Sequence, residues 1–168
     1  ALGSFALEVL GDERSAAFNA LGRSLVTGAP VAVCCTSGSA LANYYPAVLE
    51  AYYAHIPLIV LSADRPEERI NKGEGQTCVQ RDIYEPHVAA SVHIEGDASA
   101  SEVVSQLDFA LRAQHVEMRP IHINLAFDEP LYAQELDPDP LEMDFSDDVM
   151  NFHGLPDNQP IPSFSEYE

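Results

Sequence analysis

The sequence has 168 residues, 27 Asp and Glu against 8 Lys and Arg, and a formal net charge of -19, a length that fits one domain with a real core. A polyanion of this size repels phosphate backbones and anionic headgroups, which argues against nucleic acid and membrane surfaces as partners. No apolar run approaches the ~20 residues that cross a bilayer and no basic stretch opens a secretory signal, so a cytoplasmic protein is the expectation.

In chain order, Asp12 to Thr27 predicts a helix ended by Gly28 and Pro30, with Phe18, Leu21 and Leu25 on one face. Val31 to Cys35 follows as a buried strand. Ala40 to His55 predicts a helix carrying Leu41, Tyr45, Val48, Leu49 and Tyr52 at three- and four-residue spacing. Pro46 should kink it, because proline has no N–H to give to the helix ladder. Leu58 to Ala63 is a second buried strand. A strand near Ala90 to Ile94, a helix near Ala100 to His115 and a strand Ile121 to Leu125 complete the pattern. This alternation predicts an α/β fold of Rossmann-like or flavodoxin-like character: three layers, a mostly parallel sheet and helices on both faces.

After Phe127 the periodicity stops. Residues 1–127 hold 15 acidic and 8 basic side chains, whereas residues 128–168 hold 12 acidic and no basic ones. With Asp137-Pro138-Asp139-Pro140 and Pro156, Pro160 and Pro162, the tail reads as an extended acidic linker over 133–168 behind a domain over 1–132. Cys34 and Cys35 are adjacent and Cys78 stands alone, with neither a CxxC pair nor an even count, so disulfides and zinc are not expected.

Ligands of such a sheet gather at the carboxyl ends of its strands. Two loops fall there, Thr36-Ser37-Gly38-Ser39 and Asp64 to Gln76, the second bearing Arg65, Arg69 and Lys72. Asp12-Glu13-Arg14 opens a helix, where acidic residues serve simply as caps. Thr36 to Ser39 reads as an ordinary capped turn, since neither GxxxxGK nor GxGxxG is present. Arg65, directly after a strand, is placed to fork onto a carboxylate, with a solvated charged loop as an equal reading. The six histidines show no metal spacing, and His122, between Ile121 and Ile123, reads as a satisfied sheet histidine. Gly96-Asp97 with Asn124 faintly echoes a magnesium diphosphate motif but lacks its second Gly and its tandem Asn.

The segments DERSAAFNALG, CTSGSALANYYPAVLEAYY, PLIVLSADRPEER, GQTCVQ and HINLAFDEPLY together resemble the N-terminal pyrimidine-binding domain of the thiamine-diphosphate enzymes. The resemblance runs from about Asp12 to Tyr132 and is greatest to the synthases of menaquinone biosynthesis that join 2-oxoglutarate to isochorismate. It implies thiamine diphosphate as cofactor and a catalytic role for Glu13, matching the glutamate that hydrogen-bonds N1′ of the aminopyrimidine and promotes loss of the thiazolium proton. Arg65 matches the arginine of an Asp-Arg-Pro motif and would pair with a substrate carboxylate. Gln76 matches the glutamine of a Gly-x-Gln segment, on both cofactor and substrate, and Ser39 stands in the loop beside the pyrimidine.

The same resemblance implies magnesium, with its ligands in a diphosphate domain outside this sequence, and a homo-oligomer in which another subunit supplies that domain. It leaves out the family's first strand and its Ser-Pro-Gly-Ser-Arg loop, and Ala126 stands where the family usually has Pro. A fragment inactive by itself is the expectation. An acetolactate-synthase-like carboligase and a non-catalytic assembly module remain as alternatives.

Overall fold

A computed structural model describes residues 7–128. The acidic linker expected over 133–168, and the ends of the domain expected over 1–132, lie outside the described residues.

The order of elements is α1 (Glu13–Thr27), β1 (Val31–Cys35), α2 (Ser39–Ala42), α3 (Tyr45–Tyr53), β2 (Leu58–Asp64), a 3₁₀ turn (Glu67–Arg69), β3 (Ala90–Ile94), α4 (Ala100–Glu117) and β4 (Ile121–Ala126). The four strands form one parallel sheet in the order β1-β2-β4-β3. Parallel neighbours need crossovers; α2 and α3 lie between β1 and β2, and α4 lies between β3 and β4.

Helix α1 begins where Asp12, in extended backbone, accepts the Ser15 N–H on Oδ1 at 2.8 Å, and it ends where Gly28 turns left-handed at φ +69° and donates to the Ser24 carbonyl. Its buried stripe is Ala17, Ala20, Leu21 and Ser24. Of the three residues expected on that face only Leu21 is buried; Phe18 and Leu25 are 40% and 39% exposed. Small side chains win the contact because they let the helix axis approach the sheet, and the larger neighbours are pushed to the flanks.

The single kinked helix expected over Ala40 to His55 is instead two helices. Pro46 falls in the first turn of α3, where a missing N–H goes unnoticed, and Asn43 and Tyr44 close a short turn between the pieces. The break re-phases the buried stripe to Leu41, Tyr44, Ala47, Val48 and Ala51, leaving Leu49 40% exposed. Strand β1 is half buried, not fully: Val33 and Cys35 face the core while Ala32 and Cys34 are exposed, as befits the edge of the sheet.

Two cores flank the sheet. Val33, Leu41, Tyr44, Val48, Leu58, Val60 and Tyr84 pack with α1 and α3 on one face, and Val92, Ile94, Ala110, Ile121 and Ile123 pack with α4 on the other, where Ile59 and Leu61 join them. Residues Leu58 and Val60 against Ile59 and Leu61 follow the two-residue period of β2, so the cores lie on opposite faces. Each fully buried Leu or Val is worth about 1.5–3 kcal/mol. Helix α4 starts in a capping box between Ser99 and Glu102 and ends at left-handed Met118. Its Gln114 Nε2 donates to the Leu58 carbonyl at 3.0 Å, tying α4 to β2.

Candidate functional site

The carboxyl ends of β1 and β2 carry the two loops singled out by sequence, and the fold presses them together. Gly38 adopts φ +80° and ψ -138°, a region open in practice only to glycine. A Cβ there would lie 3.0 Å from the Gln76 carbonyl carbon and Cα, so the backbones of the two loops are in direct contact. Gln76 itself is left-handed at φ +56°. Alongside, Arg65 Nη1 donates to the buried Ser37 hydroxyl at 2.8 Å.

Of the expected site residues, Arg65, Ser39 and Gln76 are therefore gathered at one place. Arg65 is half buried; Ser39, the first residue of α2, and Gln76 are exposed. Glu13, half buried at the start of α1, reaches the same edge of the sheet by another route. Burial pushes the Cys35 thiol up to about 12, and the neighbouring Cys34 and the Glu13 carboxylate add to the rise. Burial also raises the Tyr44 hydroxyl, with Glu13 again contributing. Only a short connection joins the end of α1 to the start of β1 and the two pack together, so Glu13, at the far end of α1, lies toward the carboxyl end of β1 and the Thr36 to Ser39 loop. Among the described residues the side chains of Glu13, Ser39 and Gln76 make no hydrogen bond to protein.

The loop expected as an ordinary capped turn is not one. Gly38 occupies the N-cap of α2 without any side-chain cap. Its N–H instead donates to Gln80 Oε1 at 2.7 Å. Behind it runs a buried polar row on the α1 face of the sheet. Gln80 Nε2 donates to the Ala63 carbonyl and to Asn124 Oδ1, both at 2.9 Å. The Ser62 hydroxyl donates to Asn124 Oδ1 at 2.6 Å, and Asn124 Nδ2 donates to Asp64 Oδ2 at 2.7 Å and to His93 Nδ1 at 2.8 Å. Since the Ser62 proton is committed to Asn124, the Ser62 oxygen accepts from His122 Nε2 at 2.8 Å.

His122 is thus only half satisfied, contrary to expectation: its Nδ1 is buried with no partner, and the ring meets Tyr84 edge-on at 4.8 Å. Burial holds it neutral, down to about 4. Sequence reading also missed Ser37, Ser62 and Gln80. The available signal was the parity of polar residues, Ser62 and Asp64 in one strand and His122 and Asn124 in another, which places all four on one face once β2 and β4 are neighbours. Arg69 of the second loop is engaged elsewhere, with Glu74 and Asp128. No group of three or more His, Cys, Asp or Glu side chains able to hold a metal occurs among the described residues, and none of their helices is long and apolar enough to cross a membrane.

The junction thus brings together one half-buried carboxyl group, two exposed polar side chains and tightly opposed peptide backbone. In comparison with known proteins, residues 7–85 match the thiamine pyrophosphate enzyme N-terminal TPP binding domain. The chain is 48% identical over 123 residues to the 2-succinyl-5-enolpyruvyl-6-hydroxy-3-cyclohexene-1-carboxylate synthase of Flavobacterium johnsoniae, covering 73% of this chain and 22% of that protein. Proteins of the same name from Cytophaga hutchinsonii and Christiangramia forsetii are 46% identical over 133 residues and 42% identical over 151 residues, covering 76% and 79% of this chain and 24% and 26% of theirs. The chain spans about a quarter of the length of these curated relatives.

Proposed function

We propose that this chain, with its N-terminal TPP binding domain, is the pyrimidine-binding part of a transferase that decarboxylates 2-oxoglutarate and adds the succinyl carbon skeleton to isochorismate in menaquinone biosynthesis. The observation that carries the reading is the 42–48% identity to synthases of that name, beside a family match over residues 7–85, the stretch that holds Glu13, Ser39, Arg65 and Gln76. Bound thiamine diphosphate would supply a nucleophilic carbon and an electron sink for the decarboxylation. The protein's residues bind, orient and move protons around it.

In this reading Glu13 hydrogen-bonds the ring nitrogen of the aminopyrimidine and tunes its basicity from a partly desolvated position. Ser39 flanks the ring from the start of α2. Arg65, bonded to the Ser37 hydroxyl, presents its guanidinium to a substrate carboxylate, which its planar fork can pair in bidentate fashion. Gln76 offers an amide to the reacting end of the substrate. Magnesium and the diphosphate are held by a separate domain, contributed by another subunit of a homo-oligomer in the cytoplasm.

The test uses the full-length protein that contains this chain. Glu13→Gln should lower turnover of 2-oxoglutarate with isochorismate by about 10²- to 10⁴-fold, the scale of a lost acid/base group. Turnover within threefold of wild type would remove Glu13 from the mechanism. A wild-type enzyme that decarboxylates pyruvate in preference to 2-oxoglutarate would overturn the substrate assignment.

A further inference from the structure

Gln80 has no part in the site as assigned above, yet its fully buried side chain stands at the junction of both loops with the sheet. Its orientation is determined by its neighbours. The Ala63 carbonyl can only accept, so the amide nitrogen of Gln80 must face it, and the same nitrogen also donates to Asn124 Oδ1. Asn124 is oriented in turn by the Asp64 carboxylate, which takes its Nδ2–H. With nitrogen committed on that side, only Oε1 is left to face Gly38, whose N–H it accepts at 2.7 Å. The amide it holds belongs to a residue whose backbone lies directly against that of Gln76, and α2 offers that amide no side-chain cap.

We propose that Gln80 is a positioning residue of the cofactor site: it transmits the height of the β2 and β4 strands to the Gly38 backbone and so sets the spacing between the Thr36 to Ser39 loop and Gln76. The proposal rests on the preceding assignment of this loop to the pyrimidine side of the cofactor. It deepens that assignment by naming what holds the loop. Remove the acceptor and the Gly38 N–H is buried unpaired; the loop then lifts to find water, and Ser39 and Gln76 lose register with each other.

Two variants separate positioning from bulk stability. Gln80→Leu deletes the acceptor and both donated bonds. In Gln80→Glu the carboxylate has no proton to give to the Ala63 carbonyl and Asn124 Oδ1, whose repulsion drives it off the sheet and out of reach of the Gly38 N–H; once protonated it donates to one of them and again accepts from Gly38. In the full-length protein with magnesium, titration calorimetry should find thiamine diphosphate affinity weakened about 10- to 100-fold in Gln80→Glu at pH 8, recovering to within about threefold of wild type at pH 5.5. Gln80→Leu should be weak at both. In the cofactor-free protein, exchange of the Gly38 amide, referred to wild type at the same pH, should be about tenfold faster or more in Gln80→Leu, and in Gln80→Glu at pH 8 only.

Equal losses for Gln80→Glu at pH 5.5 and pH 8, or unchanged Gly38 exchange in that variant, would overturn the proposal even if Gln80→Leu failed to fold. A wild-type protein that does not bind thiamine diphosphate would sink the functional reading instead, and the exchange rates would still decide whether Gln80 holds the loop.

Discussion

Gly38→Ala tests the closeness of the two loops with a single methyl group. At φ +80° and ψ -138°, any L side chain costs about 1–3 kcal/mol in backbone strain alone. The new Cβ would also sit 3.0 Å from two backbone atoms of Gln76 and 3.1 Å from its oxygen. Those atoms cannot swing away as a side-chain tip could, so overpacking adds about 1–3 kcal/mol more. Together the two effects amount to about 2–6 kcal/mol, a large share of the 5–15 kcal/mol that typically holds a domain together. Urea unfolding of the full chain followed by circular dichroism would measure the loss. If the Gln76 segment yields instead, part of the cost reappears as weaker thiamine diphosphate binding in the full-length protein. A stability loss under about 0.5 kcal/mol together with unchanged cofactor affinity would refute the close contact.

Two other predictions concern buried groups away from that contact. His122 stays neutral in the fold down to about pH 4 because it is buried, whereas an unfolded histidine takes a proton near 6.5. The unfolded chain therefore binds more protons between these values, and stability should fall as pH drops from about 6.5 to 4 and level off below, by about 3 kcal/mol in all. Urea midpoints for His122→Gln should lack that portion of the slope; an identical slope would remove His122 as its source. Cys34 is exposed, while burial pushes the Cys35 thiol up to about 12, so iodoacetamide at pH 8 should modify Cys34 well before its neighbour. Peptide mass spectrometry showing Cys35 alkylated first would contradict the packing of β1.

The elements with strong local signals were legible in the sequence. Asp12 and Gly28 bracket α1 because each satisfies an otherwise orphaned backbone group, and β2, β3 and β4 follow from short β-branched runs. Which face of a helix is buried was less legible: counting bulky apolar residues favoured Phe18, Leu25 and Leu49, whereas the sheet accepted Ala17, Ala20 and Ala47. The proline was visible, but whether Pro46 kinks or restarts a helix depends on whether Asn43 and Tyr44 can close a turn ahead of it. Family resemblance picked out Glu13, Ser39, Arg65 and Gln76, of which three meet at the loop junction. Composition and spacing alone would have left Glu13 as a cap. Gln80 was hidden because it sits in a segment without periodicity and acts on Gly38, 42 residues earlier in the chain.

The polarity of the sheet itself explains why that distant pairing exists. On the α1 face, β2 runs from apolar Leu58 and Val60 to polar Ser62 and Asp64, and in the neighbouring strand His122 and Asn124 stand beside Val60 and Ser62. Polarity therefore rises toward the carboxyl edge, where burial is no less complete. Apolar residues would fill that space at lower cost, since each buried polar group must find a partner or lose about 1–3 kcal/mol. What apolar packing could not do is specify direction. An amide network bounded by the Asp64 carboxylate and the Ala63 carbonyl has one arrangement of donors and acceptors, and its last free acceptor points at Gly38. The sheet thereby delivers a fixed hydrogen-bond acceptor to a loop too short to brace itself. The unpartnered His122 Nδ1, at the far end of the row from Gly38, lies where a lapse in satisfaction leaves that direction intact.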